Sequence, residues 1–105
     1  MTDRELLELA AKAAGLELWT HADGGFYLPD PMRNWNPLTD DGDALRLAVT
    51  LNLAVQTLPG RDKPASEAWH NDKYARERWC DNYNDPFVAT RRAIVRAAAA
   101  IEQGK

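Results

Sequence analysis

Three arginines near the end of the chain have the type and spacing that could bind an anion. Arg92 and Arg96 are one helical turn apart, and Arg91 is next to them. Guanidinium groups on one helix face can donate paired hydrogen bonds to phosphate or carboxylate oxygens. The pattern predicts either a site for a small anionic ligand or a solvated helix face whose arginine stems cover apolar surface. We favour the second interpretation.

Aromatic and charged side chains are interspersed in residues 60–84, which we call the 60–84 segment. Trp69, Tyr74 and Trp79 could stack on a ligand or anchor a protein interface. The charged residues from position 61 to position 85 are Arg61, Lys63, Lys73, Arg76 and Arg78 on the basic side, and Asp62, Glu67, Asp72, Glu77, Asp81 and Asp85 on the acidic side. Because these charges nearly cancel, the segment lacks the positive field that nucleic acid requires. We therefore expect a protein partner or a small ligand here, and no nucleic acid.

The residue types that form metal and nucleophilic sites do not occur at the necessary spacings. Asp40, Asp41 and Asp43 are clustered, but the cluster lacks the pattern of a calcium loop, and acidic residues suit the start of a helix. Cys80 is the only cysteine, and the two histidines do not form paired metal-ligand spacings. We therefore predict no catalytic residue, no metal and no cofactor, and hence a protein that is not an enzyme.

The composition is typical of one folded domain spanning residues 1–105. The chain is 45% hydrophobic and 28% charged, with a net charge of −3, so it can build a core and has no field that attracts DNA, RNA or an anionic membrane. Trp19 and Trp35 are expected in that core or at its edge. A single cysteine and the lack of an apolar run of about 20 residues predict a cytoplasmic protein without membrane contact.

The first half of the chain contains signals for a helix and a hairpin. Thr2 and Glu5 have the spacing of a capping box, and Gly15 can close a helix over about residues 3–14. Residues 16–21 and 26–28 alternate around a glycine-rich turn, which predicts a β-hairpin. Pro29 and Pro31 are expected to end strand pairing, so that a loop follows.

The second half begins and ends with helices. Thr39 or Asp40 can cap a helix that gives way to a strand near Asn52. Residues 74–80 are predicted as a fourth strand, with a helix capped by Ser66 as the alternative. Asp85 and the proline after it start a last helix over about residues 86–102.

This order of elements, α-β-β-α-β-(β)-α, predicts the α+β class. Amphipathic helices must each bury an apolar stripe, so a small, mainly antiparallel sheet of three to four strands packed with helices is the simplest architecture. The pattern alone leaves open whether helices cover one face of the sheet or both.

Two segments carry a resemblance to a known family. They are Trp-Asn-Pro-Leu-Thr-Asp-Asp-Gly-Asp-Ala-Leu-Arg-Leu-Ala-Val at residues 35–49, and Asp-Pro at residues 85–86 followed by Ala-Thr-Arg-Arg-Ala-Ile-Val-Arg-Ala-Ala at residues 89–98. Together they resemble the phage ABA sandwich domain of small phage and prophage proteins. The resemblance implies an α/β/α sandwich, with helices on both faces of the sheet, and a bacterial host. It brings no catalytic or binding residue, and the 60–84 segment is the part least like the family.

We therefore expect a non-enzymatic phage or prophage accessory protein that binds a protein partner or self-associates through the 60–84 segment. The alternative is an antidefence-type protein that sequesters a charged small molecule or nucleotide. In that case Trp69 or Trp79 would stack on the ligand, and Arg91, Arg92 or Arg96 would bind its anionic groups.

Overall fold

The computed structural model describes residues 1–60 and 62–105. These residues form an α+β domain, which confirms the predicted class and, approximately, the predicted order. The elements are α1 (Asp3–Ala13), β1 (Trp19–Thr20), β2 (Phe26–Pro29), β3 (Met32–Asn34), α2 (Asp41–Thr50), β4 (Ala54–Leu58), β5 (Ala65–His70), β6 (Lys73–Arg78), the 3-10 helix Trp79–Asp81, and α3 (Pro86–Gln103). None of the helices in the described residues combines the length and the apolar character needed to cross a bilayer.

The predicted capping chemistry is present at the helix ends. The Thr2 hydroxyl accepts a hydrogen bond from the Glu5 amide at 3.1 Å, and the Glu5 carboxylate accepts one from the Thr2 amide at 3.3 Å. At α3, the Asp85 carboxylate accepts from the amide of Phe87 at 2.8 Å. Gly15 follows Ala14, the residue that caps the end of α1, and has a φ of +72°, a conformation that favours glycine. Local side-chain chemistry therefore sets the ends of these helices.

The first sheet has the order β1-β2-β3 and is antiparallel. Its β1–β2 hairpin is the one predicted. The expectation that Pro29 and Pro31 end strand pairing is wrong, because β2 reaches Pro29 and pairs with β3, where a loop was predicted. Pro29 is the last residue of β2, so its missing N–H removes a ladder donor only at the end of the strand.

The second sheet has the order β4-β5-β6 and is also antiparallel. The strands predicted after Asn52 and from Tyr74 are confirmed as β4 and β6. The alternative helix capped by Ser66 is wrong, because Ser66 lies within β5. Strand β5 was not predicted, because its small and polar residues give a weak strand signal. A two-residue turn joins β5 to β6 and contains Asn71 with a φ of +54°, a left-handed conformation that asparagine tolerates.

Helix α3 lies at the centre of the molecule. It packs on β5 and β6 through one side and contacts α1 and α2 through others. The layers are therefore the second sheet, then α3, then α1 and α2. This layering corrects the sandwich that the resemblance implied, because Gln56, Arg76 and Arg78 are exposed on the sheet face that points away from α3.

The residues of α3 explain this arrangement. Its buried residues extend around most of the helix and are mainly alanines: Ala89, Ala93, Ile94, Val95, Ala97, Ala98 and Ala99. A helix that is apolar around most of its circumference must be covered on more than one side. Helices α1 and α2 therefore cover α3, and the outer face of the second sheet stays uncovered by a helix in the described residues. The strands also divide into two sheets where one was expected.

Candidate functional site

The 60–84 segment is not the free recognition loop that the sequence analysis expected. Residues 65–78 form β5 and β6, which pack against α3. Ala65, Ser66 and Ala68 are fully buried, and Ala75 is nearly so. Arg61, one of the charges of this segment, lies outside the described residues. Most of the segment is therefore structural, and a binding surface on it can only comprise its outward-facing side chains.

Two of its predicted site residues, Trp69 and Tyr74, are cross-strand partners on the outer face of the second sheet. Trp69 is half-buried and Tyr74 is exposed. The Tyr74 hydroxyl donates a hydrogen bond to Glu67, and this bond raises the pKa of Tyr74. Arg76 also binds Glu67, at 3.1 Å. The Tyr74 hydroxyl and the Arg76 guanidinium therefore both bind the Glu67 carboxylate on this face.

Trp79 lies apart from these two aromatic residues. Its Nε1 donates a hydrogen bond to Ser66 Oγ at 3.1 Å, and Ser66 Oγ is 2.7 Å from Thr90 Oγ1 of α3. The Trp79 ring borders a groove beside α3. The three aromatic residues therefore do not form one stacking platform, because Trp79 belongs to the α3 side of the sheet.

The three arginines of α3 bind other parts of the chain. Arg91 donates to the backbone oxygen of Leu38 at 2.8 Å and to Asp41 at 2.6 Å. Arg92 binds Asp3 at 3.0 Å. These bonds tie α3 to α1 and to the start of α2.

Arg96 completes the set on the side of the second sheet. It donates to Glu77 and, at 3.1 Å, to the backbone oxygen of Arg76. The guanidinium groups of Arg91, Arg92 and Arg96 are therefore already paired with carboxylates, and Arg91 diverges from the other two. In the structure these arginines act as ion-pair links between elements, and the anion site stays a prediction.

The aspartates around the start of α2 are structural. Asp40 caps the helix by accepting from the Asp43 amide at 2.8 Å. The buried Asp43 carboxylate accepts from Arg33 and Arg46, each at 2.8 Å, and from the Asn36 amide at 2.9 Å. Burial alone would raise the pKa of Asp43, but these hydrogen bonds outweigh burial and hold the pKa below its ordinary value. Across residues 1–60 and 62–105, no cluster of three or more histidine, cysteine or acidic side chains could hold a metal ion.

A hollow of about 410 Å³ lies between α1 and the first sheet. Its polar groups are matched to one another. His21 Nε2 is 2.8 Å from Asn34 Oδ1, Arg4 donates to the Gly24 oxygen at 2.9 Å, and Asp23 accepts from the Gly25 amide at 2.9 Å. These polar groups of the hollow are therefore already paired within the chain.

A larger groove, of about 530 Å³, opens between α2, β4 and the first half of α3. Its lining is mostly apolar and includes Leu45 from α2, Val55 from β4, and Phe87 and Ile94 from α3. Leu45 and Phe87 are each 65% exposed and Val55 is 41% exposed, whereas Ile94 is buried. Soluble proteins rarely expose large contiguous apolar patches, and such patches usually mark an interaction site or a ligand-binding groove.

The apolar spacing of α2 holds a signal for this groove. One apolar stripe of the helix is buried and includes Ala44, Leu47 and Ala48. Leu45 and Val49 form a second apolar stripe at i, i+4 spacing, and both are exposed. A helix with more apolar residues than one buried face needs is the pattern that could have revealed the groove.

An open strand edge borders the groove. Among the described residues, β4 pairs with β5 alone, and Ala54 to Thr57 are exposed. The strand Ala-Val-Gln-Thr-Leu has no charged residue and no proline. Edge strands usually carry such residues because they prevent pairing with another chain. The edge of β4 lacks this protection.

Comparison of the chain with protein-family models, curated proteins and solved structures gave no match. The resemblance to the phage ABA sandwich domain therefore stays a prediction. The groove and the open edge of β4 are the features on which a functional argument can rest.

Proposed function

We propose that this chain is a non-enzymatic binding protein that associates with a protein through one surface, which we call the α2–β4 face. This face consists of the groove, the exposed apolar residues Leu45, Val49, Val55 and Phe87, and the open edge of β4. The observation that carries the proposal is the grouping of exposed apolar side chains around an apolar groove. A phage or prophage accessory role remains a prediction from the resemblance, and a cytoplasmic location remains a prediction from the composition.

The composition of the α2–β4 face suits a protein better than a charged small molecule. Protein interfaces have an apolar centre with polar groups at the rim. Here the apolar lining is bordered by the ion pair between Arg91 and Asp41, whose charges already satisfy each other at 2.6 Å. A charged ligand would have to displace such carboxylates, whereas an apolar side chain needs only the space of the groove.

Substitution of Phe87 by serine tests this proposal. The side chain is 65% exposed, so its loss should leave the fold intact while removing apolar contact from the interface. We expect association with the partner to weaken at least about tenfold, because aromatic anchors near the centre of an interface contribute most of its free energy. The measurement is the dissociation constant for each purified partner identified by crosslinking, with the chain itself included among the partners.

The matched control is Met32→Ser. Met32 is 74% exposed and lies in β3, outside the α2–β4 face, so this variant should bind as the wild type does. Equal binding by the Phe87→Ser variant and the control would show that the α2–β4 face is not the binding surface. A chain that associates with no protein, itself included, would contradict the proposal as a whole.

Thermal unfolding with nucleotides tests the small-molecule alternative. A ligand present at a hundred times its dissociation constant stabilises the folded state by about 2.7 kcal/mol. Because Arg91, Arg92 and Arg96 are already paired with carboxylates, we expect no change in the midpoint of unfolding. A reproducible increase that is lost in an Arg96→Gln variant would favour the alternative.

A further inference from the structure

The open edge of β4 indicates which partner fits the α2–β4 face. We infer that the partner is a second copy of this chain, bound by antiparallel pairing of the two β4 strands across a two-fold axis. This inference rests on the proposed function, because it names the partner of the same face.

The two edges of the second sheet differ in their charge. At one edge, β6 carries Lys73, Arg76, Glu77 and Arg78 among its six residues. If β6 paired along its whole length with another β6, Lys73 would lie opposite Arg78, and like charges directly opposite destabilise a sheet. At the other edge, β4 is uncharged along all five of its residues. The sheet is therefore protected at β6 and open at β4.

The sequence of β4 is compatible with a copy of itself. A two-fold axis at Gln56 places Ala54 opposite Leu58 and Val55 opposite Thr57. In a symmetric interface, residues near the axis meet their own copies, so a charge there would repel itself. In this strand the residue at the axis is Gln56, whose amide can both donate to and accept from the amide of its copy. The pair of Val55 and Thr57 is β-branched, which favours cross-strand packing.

The groove lies on the side of β4 where such a dimer gains apolar contact. Val55 and Thr57 line the groove together with α2 and α3. A two-fold axis perpendicular to the sheet joins the two sheets into one of six strands and keeps the helices of both copies on the same side. Leu45 and Phe87 of the two copies then approach each other across the junction. Strand pairing over five residues buries little area, so these apolar contacts supply much of the interface that a stable dimer needs.

A charge exchange at Gln56 tests the inference. Gln56 is exposed on the outer face of the sheet, and the carboxylate of its cross-strand partner Glu67 is already paired with Arg76, so charged substitutions at Gln56 should leave the monomer folded. We expect the wild type to form a dimer in sedimentation and light-scattering measurements over a concentration series. The Gln56→Lys and Gln56→Glu variants, each alone, should have dimer dissociation constants raised about fivefold, because each places like charges opposite each other. An equimolar mixture of the two variants should recover the dimer.

The matched control is Tyr74→Lys, which adds the same charge to an exposed position at the β6 edge, and which should dimerise as the wild type does. A wild type that remains monomeric up to the highest soluble concentration would overturn the inference. So would a dimer that is insensitive to both Gln56 variants, or a mixture that fails to recover it.

The proposed function has a separate test. If the chain stays monomeric while Phe87→Ser abolishes binding of a different protein, the second copy is excluded and the binding function stands. If Phe87→Ser changes no association at all, the function fails as well.

Discussion

Replacement of Trp35 by alanine is expected to lower the free energy of unfolding by about 3–5 kcal/mol, as is typical for loss of a large buried aromatic side chain. Trp35 is 3% exposed, belongs to the main hydrophobic core, and donates its backbone N–H to the Phe26 oxygen at 3.1 Å. The variant would leave a cavity beneath the loop that leads into α2. The measurement is urea unfolding followed by tryptophan fluorescence and circular dichroism.

Trp19→Ala is the matched control for this effect. Trp19 is 50% exposed, and its ring makes an edge contact with Tyr27 at a centroid distance of 6.0 Å. Truncation there removes about half the buried area that Trp35→Ala removes and leaves no enclosed cavity, so the free energy of unfolding should fall by no more than about 2 kcal/mol. Equal losses for the two variants would show that Trp35 does not occupy the core as described.

Replacement of Asp43 by alanine is the second change with a large expected effect. The variant removes the acceptor shared by Arg33, Arg46 and the Asn36 amide. Hydrogen bonds to a charged group contribute about 1.5–3 kcal/mol. Because both arginines can turn to solvent, we expect the free energy of unfolding to fall by about 2–3 kcal/mol in total. The control is Asp41→Ala, which removes the exposed carboxylate of the ion pair with the half-buried Arg91. Arg91 keeps its hydrogen bond to the Leu38 oxygen, so this change should cost about 1 kcal/mol or less.

Acid titration gives Asp43 a second test. The pKa of Asp43 is lower in the folded state than its ordinary value, so the unfolded chain binds a proton more readily. The stabilisation from this group is therefore complete above the ordinary aspartate pKa of about 4 and is lost as the pH falls through the lower pKa of the folded state. Measured between neutral pH and pH 3, the loss of stability should be shallower in an Asp43→Asn variant than in the wild type. Equal slopes would contradict this assignment.

The arginines of α3 show how tertiary contacts change the meaning of a sequence pattern. Arg92 and Arg96 have the spacing of an anion site, but Arg92 binds Asp3, which is far away along the chain, and Arg96 binds Glu77 on β6. These carboxylates come from other elements, so no local pattern could identify them. The same guanidinium chemistry that suits a phosphate here joins α3 to α1 and to the second sheet.

The sequence determined by itself the features that depend on neighbouring residues. The capping box of Thr2 and Glu5, the start of α3 at Asp85, and the turn of the first hairpin all rest on interactions within a few residues. The spacing of apolar residues also predicts that each helix buries one of its faces. The pattern does not show which apolar face is buried when a helix has two, as α2 has.

Only the tertiary structure decided what each element packs against. Trp19 and Trp35 were both predicted in the core or at its edge. Trp19 is exposed and Trp35 is buried, because burial depends on which element covers a position. The residues of β5 have a weak strand signal, but they form the central strand of the second sheet because β4 and β6 pair with them from both sides. The groove and the open edge of β4 exist because α2 packs on α3 and, in the described residues, no strand pairs with the outer edge of β4. Long-range packing therefore decides which residues are buried and which strand edge stays open. This packing depends on the sum of many weak contacts, and no short stretch of sequence contains them.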